Sequence, residues 1–325
     1  MECQRNDRIV STTAFSVLSP ATTSAARAAV PWAIEVTVPT HIHSRDLFIE
    51  TRHGRLFART WSLEQQGLSA DDAPVVLLHD SLGCVELWRD FPAQLAATTG
   101  KAVVAYDRLG FGRSDAHPGE LSVGFVGNEA ESGFSALKEQ LGIGSFIAFG
   151  HSVGGGMAVH CADRHRADCL ALVTESAQAF VEDRTLEGIH AAKQGFQAEG
   201  QLGRLTRYHS EKARWVLDAW TETWLSPEFA DWNLEAEVQP LDCPVLAIHG
   251  GRDEFGSPAH PQRIAQLARN HSQVLLIDEC GHVPHRENAG LVLQAVGDFL
   301  RQAAGHYIDS RCPTRGPTRP CNTSS

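Results

Sequence analysis

Three short stretches of this chain carry residue types that together could do nucleophilic chemistry. The first is Gly150-His151-Ser152-Val153-Gly154, which follows the apolar run Phe146-Ile147-Ala148-Phe149 and leads into Met157-Ala158-Val159-His160-Cys161-Ala162. Apolar run, sharp turn and helix-like pattern would set Ser152 at the apex of a strand-to-helix elbow. A serine hydroxyl is a weak nucleophile and must stand exposed beside a base. Gly150 and Gly154 suit such a turn because a Cβ at either place would crowd it. The plainer reading is a glycine-rich helix start capped by Ser152, so the partners must decide.

The second stretch, Cys280-Gly281-His282-Val283-Pro284, follows the last apolar run of the chain. A loop histidine there could reach Ser152 as general base. The chain has 16 histidines, and position alone singles out His282, with His285 the nearby alternative. The third, His249-Gly250-Gly251-Arg252-Asp253, follows the apolar run before that. Asp253 would orient the imidazole and stabilise its charged form; otherwise it is a turn aspartate in a glycine-rich loop. Glu175, after the run 170–173, is the alternative acid.

Elements that could position these residues are legible. Leu47–Glu50 and Leu56–Arg59 flank His53-Gly54 as a hairpin. Val75–Leu78, Ala102–Tyr106, Phe146–Phe149, Leu170–Val173, Val245–Ile248 and Val274–Ile277 are continuous apolar runs, as strands covered on both faces require. Helical patterns over Trp88–Thr98, Phe134–Leu141, Ser152–Arg164, Pro261–Ala268 and Leu291–Ala303 separate them. Alternation of this kind predicts an α/β fold: an eight-stranded, mostly parallel, doubly wound sheet.

The alternation lapses between Val173 and Val245, where residues 178–237 read as helices containing Trp215, Trp220, Trp224 and Trp232. The simplest account is an inserted helical cap, with most of the tryptophans packing it onto the core. The domain reading is then a disordered leader over 1–45, a core in two parts over 46–177 and 238–304, the cap between them, and a disordered tail over 305–325. The leader is small and polar without sustained periodicity, and lacks the apolar stretch of a secretory signal.

Composition narrows the partners. Net charge is −11 over 325 residues, which argues against nucleic acid and anionic membrane surfaces. No apolar run approaches the ~18 residues of a membrane span. None of the eight cysteines forms Cys-x-x-Cys, and several sit in apolar runs, so they read as buried hydrophobes in a reducing, cytoplasmic compartment. Cys280, beside His282, is the one position where a reactive thiol is conceivable. Asp107-Arg108-Leu109-Gly110-Phe111-Gly112-Arg113-Ser114 fails as a dinucleotide turn because Asp115 stands at the third glycine position. The histidines show no metal-ligand spacing. Neither cofactor nor metal is expected, and the partner is a small-molecule substrate.

From Leu47 to Ala303 the sequence resembles the α/β-hydrolase superfamily, in the group with a helical cap. The resemblance rests on His79–Gly83, Asp107–Ser114, Gly150–Gly154, His249–Asp253 and Gly281–Pro284, in that order. It implies a triad in the chain order Ser152, Asp253, His282, and an oxyanion hole made by the backbone N–H groups of Ser81 and Val153. Ser152 in place of an aspartate speaks against the epoxide hydrolases and haloalkane dehalogenases of that group. The usual His-Gly after the third strand is His79-Asp80 here, and Ser81-Leu82-Gly83 is similar to the turn of 3-oxoadipate enol-lactonases. A carboxylate aimed at the oxyanion would oppose catalysis, so Asp80 is expected to point away and hold the turn. The activity implied is an esterase-like or lactonase-like serine hydrolase. The alternatives are a carbon–carbon hydrolase of ring-cleavage products, for which Arg108, Arg113 and Arg252 are the available cations, and a non-catalytic ligand receptor.

Overall fold

In a computed structural model of the protein, residues 41–63, 68, 73–269 and 271–311 are described. An antiparallel hairpin of β1 (His43–Thr51) and β2 (Gly54–Ser62) comes first. There follow β3 (Val75–Leu78), α1 (Phe91–Thr99), β4 (Val103–Tyr106), α2 (Phe125–Glu131), α3 (Gly133–Gln140), β5 (Phe146–His151), α4 (Val153–Arg164) and β6 (Cys169–Glu175). Helices α5 (Asp183–Gly195), α6 (Gln201–His209), α7 (Ala213–Trp224) and α8 (Glu235–Val238) precede β7 (Val245–Gly250). The chain then runs through α9 (Ala259–Leu267), β8 (Ser272–Ile277), α10 (Pro284–Glu287) and α11 (Ala289–Arg311).

The eight strands form one sheet in the order β1-β2-β4-β3-β5-β6-β7-β8. β2 pairs antiparallel with β1 and β4, and the other pairings are parallel. The central strands β3, β4, β5 and β7 are buried at every position, which is why their sequences are continuous apolar runs rather than alternations. Their side chains still divide by the two-residue period. Val75, Leu77, Val103 and Ala105 join the core layer that holds Leu95 of α1 and Val292, Val296 and Phe299 of α11. Val76, Leu78, Val104 and Tyr106 join the opposite layer, with Phe125, Phe134, Met157 and Ile264 from α2, α3, α4 and α9.

Several boundaries differ from expectation for local reasons. The helix expected from Trp88 is a 3-10 turn over Val85–Trp88, then α1. Arg89 at φ +55 breaks the two apart, and Gly100 at φ +67 ends α1. Helix α2 has no counterpart in the sequence reading, because Gly124, Gly127 and Gly133 punctuate its pattern. β1 begins at His43 and so takes in the last three residues of the expected leader, and α11 continues to Arg311, past the boundary expected at 304. Residues 1–40 of the leader and 312–325 of the tail lie outside the described residues.

Between β6 and β7 the chain is helical, and its two ends are tied beside the sheet. Phe180 bridges Asn233, and the Leu234 N–H donates to the Ala179 carbonyl at 2.9 Å. Trp224, Phe229 and Trp232 pack as an aromatic cluster with ring centroids 5.0–5.6 Å apart. Trp215 stacks on His117 and donates its indole N–H to Gly119. Among the described residues no helix is long and apolar enough to cross a membrane.

Candidate active site

The site is built at the carboxyl ends of β3, β5, β6, β7 and β8. Ser152 follows β5 directly, at φ +56 and ψ −126. That conformation is costly for a residue with a side chain, and the packing around it enforces it. A Cβ on Gly150 would lie 1.9 Å from the Gly154 carbonyl oxygen, and one on Gly154 would lie 2.2 Å from that of Leu78. The Ser152 N–H is held by the Glu175 carbonyl at 2.8 Å. Helix α4 therefore starts immediately beyond Ser152, and the Val153 N–H is one of the donors that a helix start leaves free.

The loop after β7 carries Asp253 and the loop after β8 carries His282. The structure brings the two together: both carboxylate oxygens of Asp253 lie 2.8 Å from His282 Nδ1. Asp253 is buried, and its Oδ1 also accepts the Phe255 N–H at 2.8 Å. Arg184 of α5 donates to the Asp253 carbonyl, and Thr185 to that of Phe255, so the inserted helices brace this loop. Burial pulls the His282 imidazolium down, but the hydrogen bond and charge of Asp253, aided by Asp80, outweigh it, and the pKa ends above 6.5. For Asp253, burial pushes up and His282 pulls down more strongly, leaving the carboxyl below its ordinary value. Ser152 and His282 line one cavity of about 190 Å³.

Glu175 does not reach this pair. It is buried and accepts from Nδ1 of His285 at 2.5 Å, a second histidine–carboxylate couple. His151, the residue before Ser152, lies against that couple and bonds through Nε2 to the His282 carbonyl at 2.8 Å. Burial holds the His151 pKa down at about 4, so the imidazole is neutral and donates that bond. His151, Glu175 and His285 each offer one atom within 4.8 Å of the others, and the hydrogen bond from His285 Nδ1 to Glu175 Oε2 already joins two of these residues.

The loop after β3 is fixed by residues that sequence reading did not connect. Arg108, at the end of β4, donates from its backbone N–H and Nε to His79 Nε2, at 3.1 and 3.3 Å. With Nε2 accepting, His79 Nδ1–H donates to the Asp80 carbonyl at 2.8 Å, where the Arg108 guanidinium also donates at 2.8 Å. In a trans peptide the carbonyl and the following N–H point opposite ways. Pinning the Asp80 carbonyl therefore fixes the direction of the Ser81 N–H. Neither the Ser81 nor the Val153 N–H finds a backbone acceptor among the described residues. Asp107 anchors the same loop, accepting the Val85 N–H at 2.6 Å and the Arg113 N–H at 2.7 Å. The motif 107–114 is thus a clamp on the loop.

Asp80 folds over its own turn, with Oδ1 where a Cβ on Gly83 would sit, yet it also lines the Ser152 cavity. Trp220, Trp224 and Phe255 line the same cavity. Arg108, Arg113 and Arg252 do not line it: Arg113 pairs with Asp46 and Arg252 with Glu279. Cys280 is fully buried, and burial pushes its thiol up to about 11, which removes it as a nucleophile.

The family model of the alpha/beta hydrolase fold matches residues 73–217. Over 114 residues the chain is 27% identical to a proline iminopeptidase of Lactobacillus delbrueckii subsp. lactis, a match covering 35% of this chain. It spans 39% of the length of that curated relative. Among solved structures, the 2-hydroxy-6-oxo-6-phenylhexa-2,4-dienoate hydrolase of Rhodococcus sp. strain RHA1 superposes with a TM-score of 0.69 at 16% identity, covering 80% of this chain and 100% of the other. The enol-lactonase of Burkholderia xenovorans LB400 superposes with a TM-score of 0.60 at 20% identity, covering 78% and 100%. These are likenesses of fold.

Proposed function

Because this chain has the α/β-hydrolase fold, we propose that it is a serine hydrolase of small carboxylic esters or lactones, acting through Ser152, His282 and Asp253. The observation that carries the reading is the His282–Asp253 couple, 2.8 Å through Nδ1, opening with Ser152 onto one cavity. With its Nδ1 proton committed to Asp253, His282 presents a basic Nε2. That atom takes the Ser152 proton as Oγ attacks the carbonyl carbon and then returns it to the leaving oxygen, giving an acyl-enzyme. Water repeats the sequence and frees the acid. The N–H groups of Ser81 and Val153 stabilise the oxyanion, each typically worth about 3 kcal/mol. The protein works without cofactor or metal on this reading, and its five described cysteines, all free and buried, suit a cytoplasmic setting. No nucleic-acid or membrane partner is invoked.

Carbon–carbon cleavage of a dienoate is the second reading, favoured by the fold likeness to such a hydrolase. Its substrate is a carboxylate, and the cavity at Ser152 is lined by no arginine or lysine among the described residues. Ester hydrolysis therefore ranks first. The test is labelling with a fluorophosphonate probe together with turnover of p-nitrophenyl butyrate. Wild-type protein should do both and Ser152→Ala neither; a labelled Ser152→Ala variant, or an unlabelled wild type, refutes the proposal.

A further inference from the structure

We propose that the hydrolase selects substrates bearing a protonated primary or secondary amine close to the scissile carbonyl, and that Asp80 is the residue that selects them. The inference rests on the hydrolase reading above and adds the substrate's charge.

Besides His282, the titratable residues among the described ones that line the Ser152 cavity are Asp80 and Glu254, both acids, and no lysine or arginine lines it. The Asp80 carboxyl is held below its ordinary range: burial pushes it up, but His151, His79, His282 and Arg286 together pull it down further. It is therefore ionised at neutral pH. Arg286 is committed to the Leu87 carbonyl and lines a second small hollow that Asp80 also borders, not the Ser152 cavity. Among the described residues no lysine or arginine forms an ion pair with Asp80.

An independent observation points the same way. Gln178 lines the cavity, is 3% exposed, and its Oε1 has no hydrogen-bond partner. A buried acceptor left unpaired is costly, and a ligand N–H would satisfy it. Trp220, Trp224 and Phe255 also line the cavity, and aromatic rings attract a cation over their faces. Acceptors, carboxylates and aromatic faces together describe a pocket for an ammonium group that still carries N–H donors.

Asp80 also stands one residue before Ser81, whose N–H is the proposed oxyanion donor. An unneutralised carboxylate there repels the developing oxyanion. A bound ammonium offsets that repulsion, so a cationic substrate gains in kcat as well as in binding, while a neutral ester meets the full penalty.

Alanine methyl ester and methyl isobutyrate are a matched pair, with an ammonium in one where the other has a methyl group. Each kcat/KM is divided by the hydroxide-catalysed rate of the same ester, which removes intrinsic reactivity. Wild-type protein should favour the alanine ester by about tenfold or more, the equivalent of about 1.4 kcal/mol. Asp80→Asn should erase most of that ratio, raise kcat for methyl isobutyrate, and move the acid limb of the pH profile down, because Asp80 helps raise the His282 pKa. A preference for methyl isobutyrate in the wild type, or a ratio that Asp80→Asn leaves unchanged, overturns the inference. Butylammonium should inhibit wild-type turnover of p-nitrophenyl butyrate competitively and pentanoate should not, a measurement that needs no variant. Equal inhibition by both, or by neither, overturns the inference while leaving the hydrolase reading intact. Absence of fluorophosphonate labelling would remove both.

Discussion

Replacing Asp253 by Asn separates the two buried histidine–carboxylate couples of this protein. In the native site both Asp253 oxygens lie 2.8 Å from His282 Nδ1, and Oδ1 also accepts the Phe255 N–H. In the variant the Phe255 N–H keeps the amide oxygen at the Oδ1 position, so the NH2 group takes the Oδ2 position against Nδ1. A donor there favours the imidazole tautomer with its proton on Nε2, which cannot accept a proton from Ser152. The imidazolium formed during attack also loses its counter-charge. The expected loss is about 10⁴ in kcat, or about 5.4 kcal/mol at 1.36 kcal/mol per tenfold. Burial is the largest single influence on the His282 pKa and lowers it, so without Asp253 the acid limb of the residual activity should drop below pH 6.5. Glu175→Gln is the control. Glu175 pairs with His285, not His282, and its loss should reduce kcat by less than about tenfold while destabilising the fold by about 1–3 kcal/mol. The assay is kcat/KM against pH for p-nitrophenyl butyrate, with urea unfolding of each variant. If Glu175→Gln proves the more damaging to kcat, or Asp253→Asn leaves the pH profile in place, the assignment of the acid is wrong.

In the wild type, kcat/KM should rise with pH through an apparent pKa above 6.5, because Asp253 holds His282 protonated beyond its ordinary range; a midpoint below 6.5 would refute that balance. Gly154→Ala should give no fluorophosphonate labelling, since its Cβ would meet the Leu78 carbonyl oxygen at 2.2 Å and backbone cannot move aside cheaply; full labelling would show the elbow to be looser than drawn. His151 titrates near 4 in the fold and 6.5 unfolded, so the unfolded state binds the extra proton. Stability should therefore be lost as pH falls from 6.5 toward 4, by up to about 3 kcal/mol for this 2.5-unit difference. Thermal midpoints of wild type and His151→Gln across that range check it, and equal slopes would clear His151 of the effect. Short acyl chains should exceed C12 esters in kcat/KM, because a cavity of about 190 Å³ is smaller than the ~300 Å³ at which drug-sized ligands are usually held.

The sheet was legible in the sequence because its central strands are buried on both faces and so appear as unbroken apolar runs. The elbow was legible only in company, because Gly150-His151-Ser152-Val153-Gly154 follows such a run and the stretches 249–253 and 281–284 follow two later ones. Other features depend on strand order, which periodicity does not encode. β4 lies beside β3 and β2 rather than beside β5, and that adjacency lets Arg108 reach His79 and the Asp80 carbonyl across 29 and 28 residues of chain. Arg108 read as a turn residue or a possible substrate cation, whereas it orients a peptide unit. Likewise Glu175 and His285 were plausible as acid and base by position, and only the parallel register of β5, β6 and β7 shows that they pair with each other.

That pairing keeps apart two couples whose histidines, His282 and His285, both pack against the His151 ring. β5 stands between β3 and β6, and His151 at its end meets the rings of both His282, from the loop after β8, and His285, from α10. His285 sits in α10, which begins at Pro284, and packs against Trp88 and Phe91 while its Nδ1 donates to Glu175. His282, three residues earlier, remains in the loop and faces the cavity. The neutral His151 packs on His285 and donates to the His282 carbonyl, so the Glu175–His285 couple bears on the position of the loop that carries His282, not on its charge. Removing Glu175 or His285 should then alter activity only as far as it lets that loop move. Removing Asp253 acts on the proton itself. The contrast between the two variants is for that reason a test of geometry, and an activity loss of equal size in both would mean that the loop and the proton cannot be separated in this site.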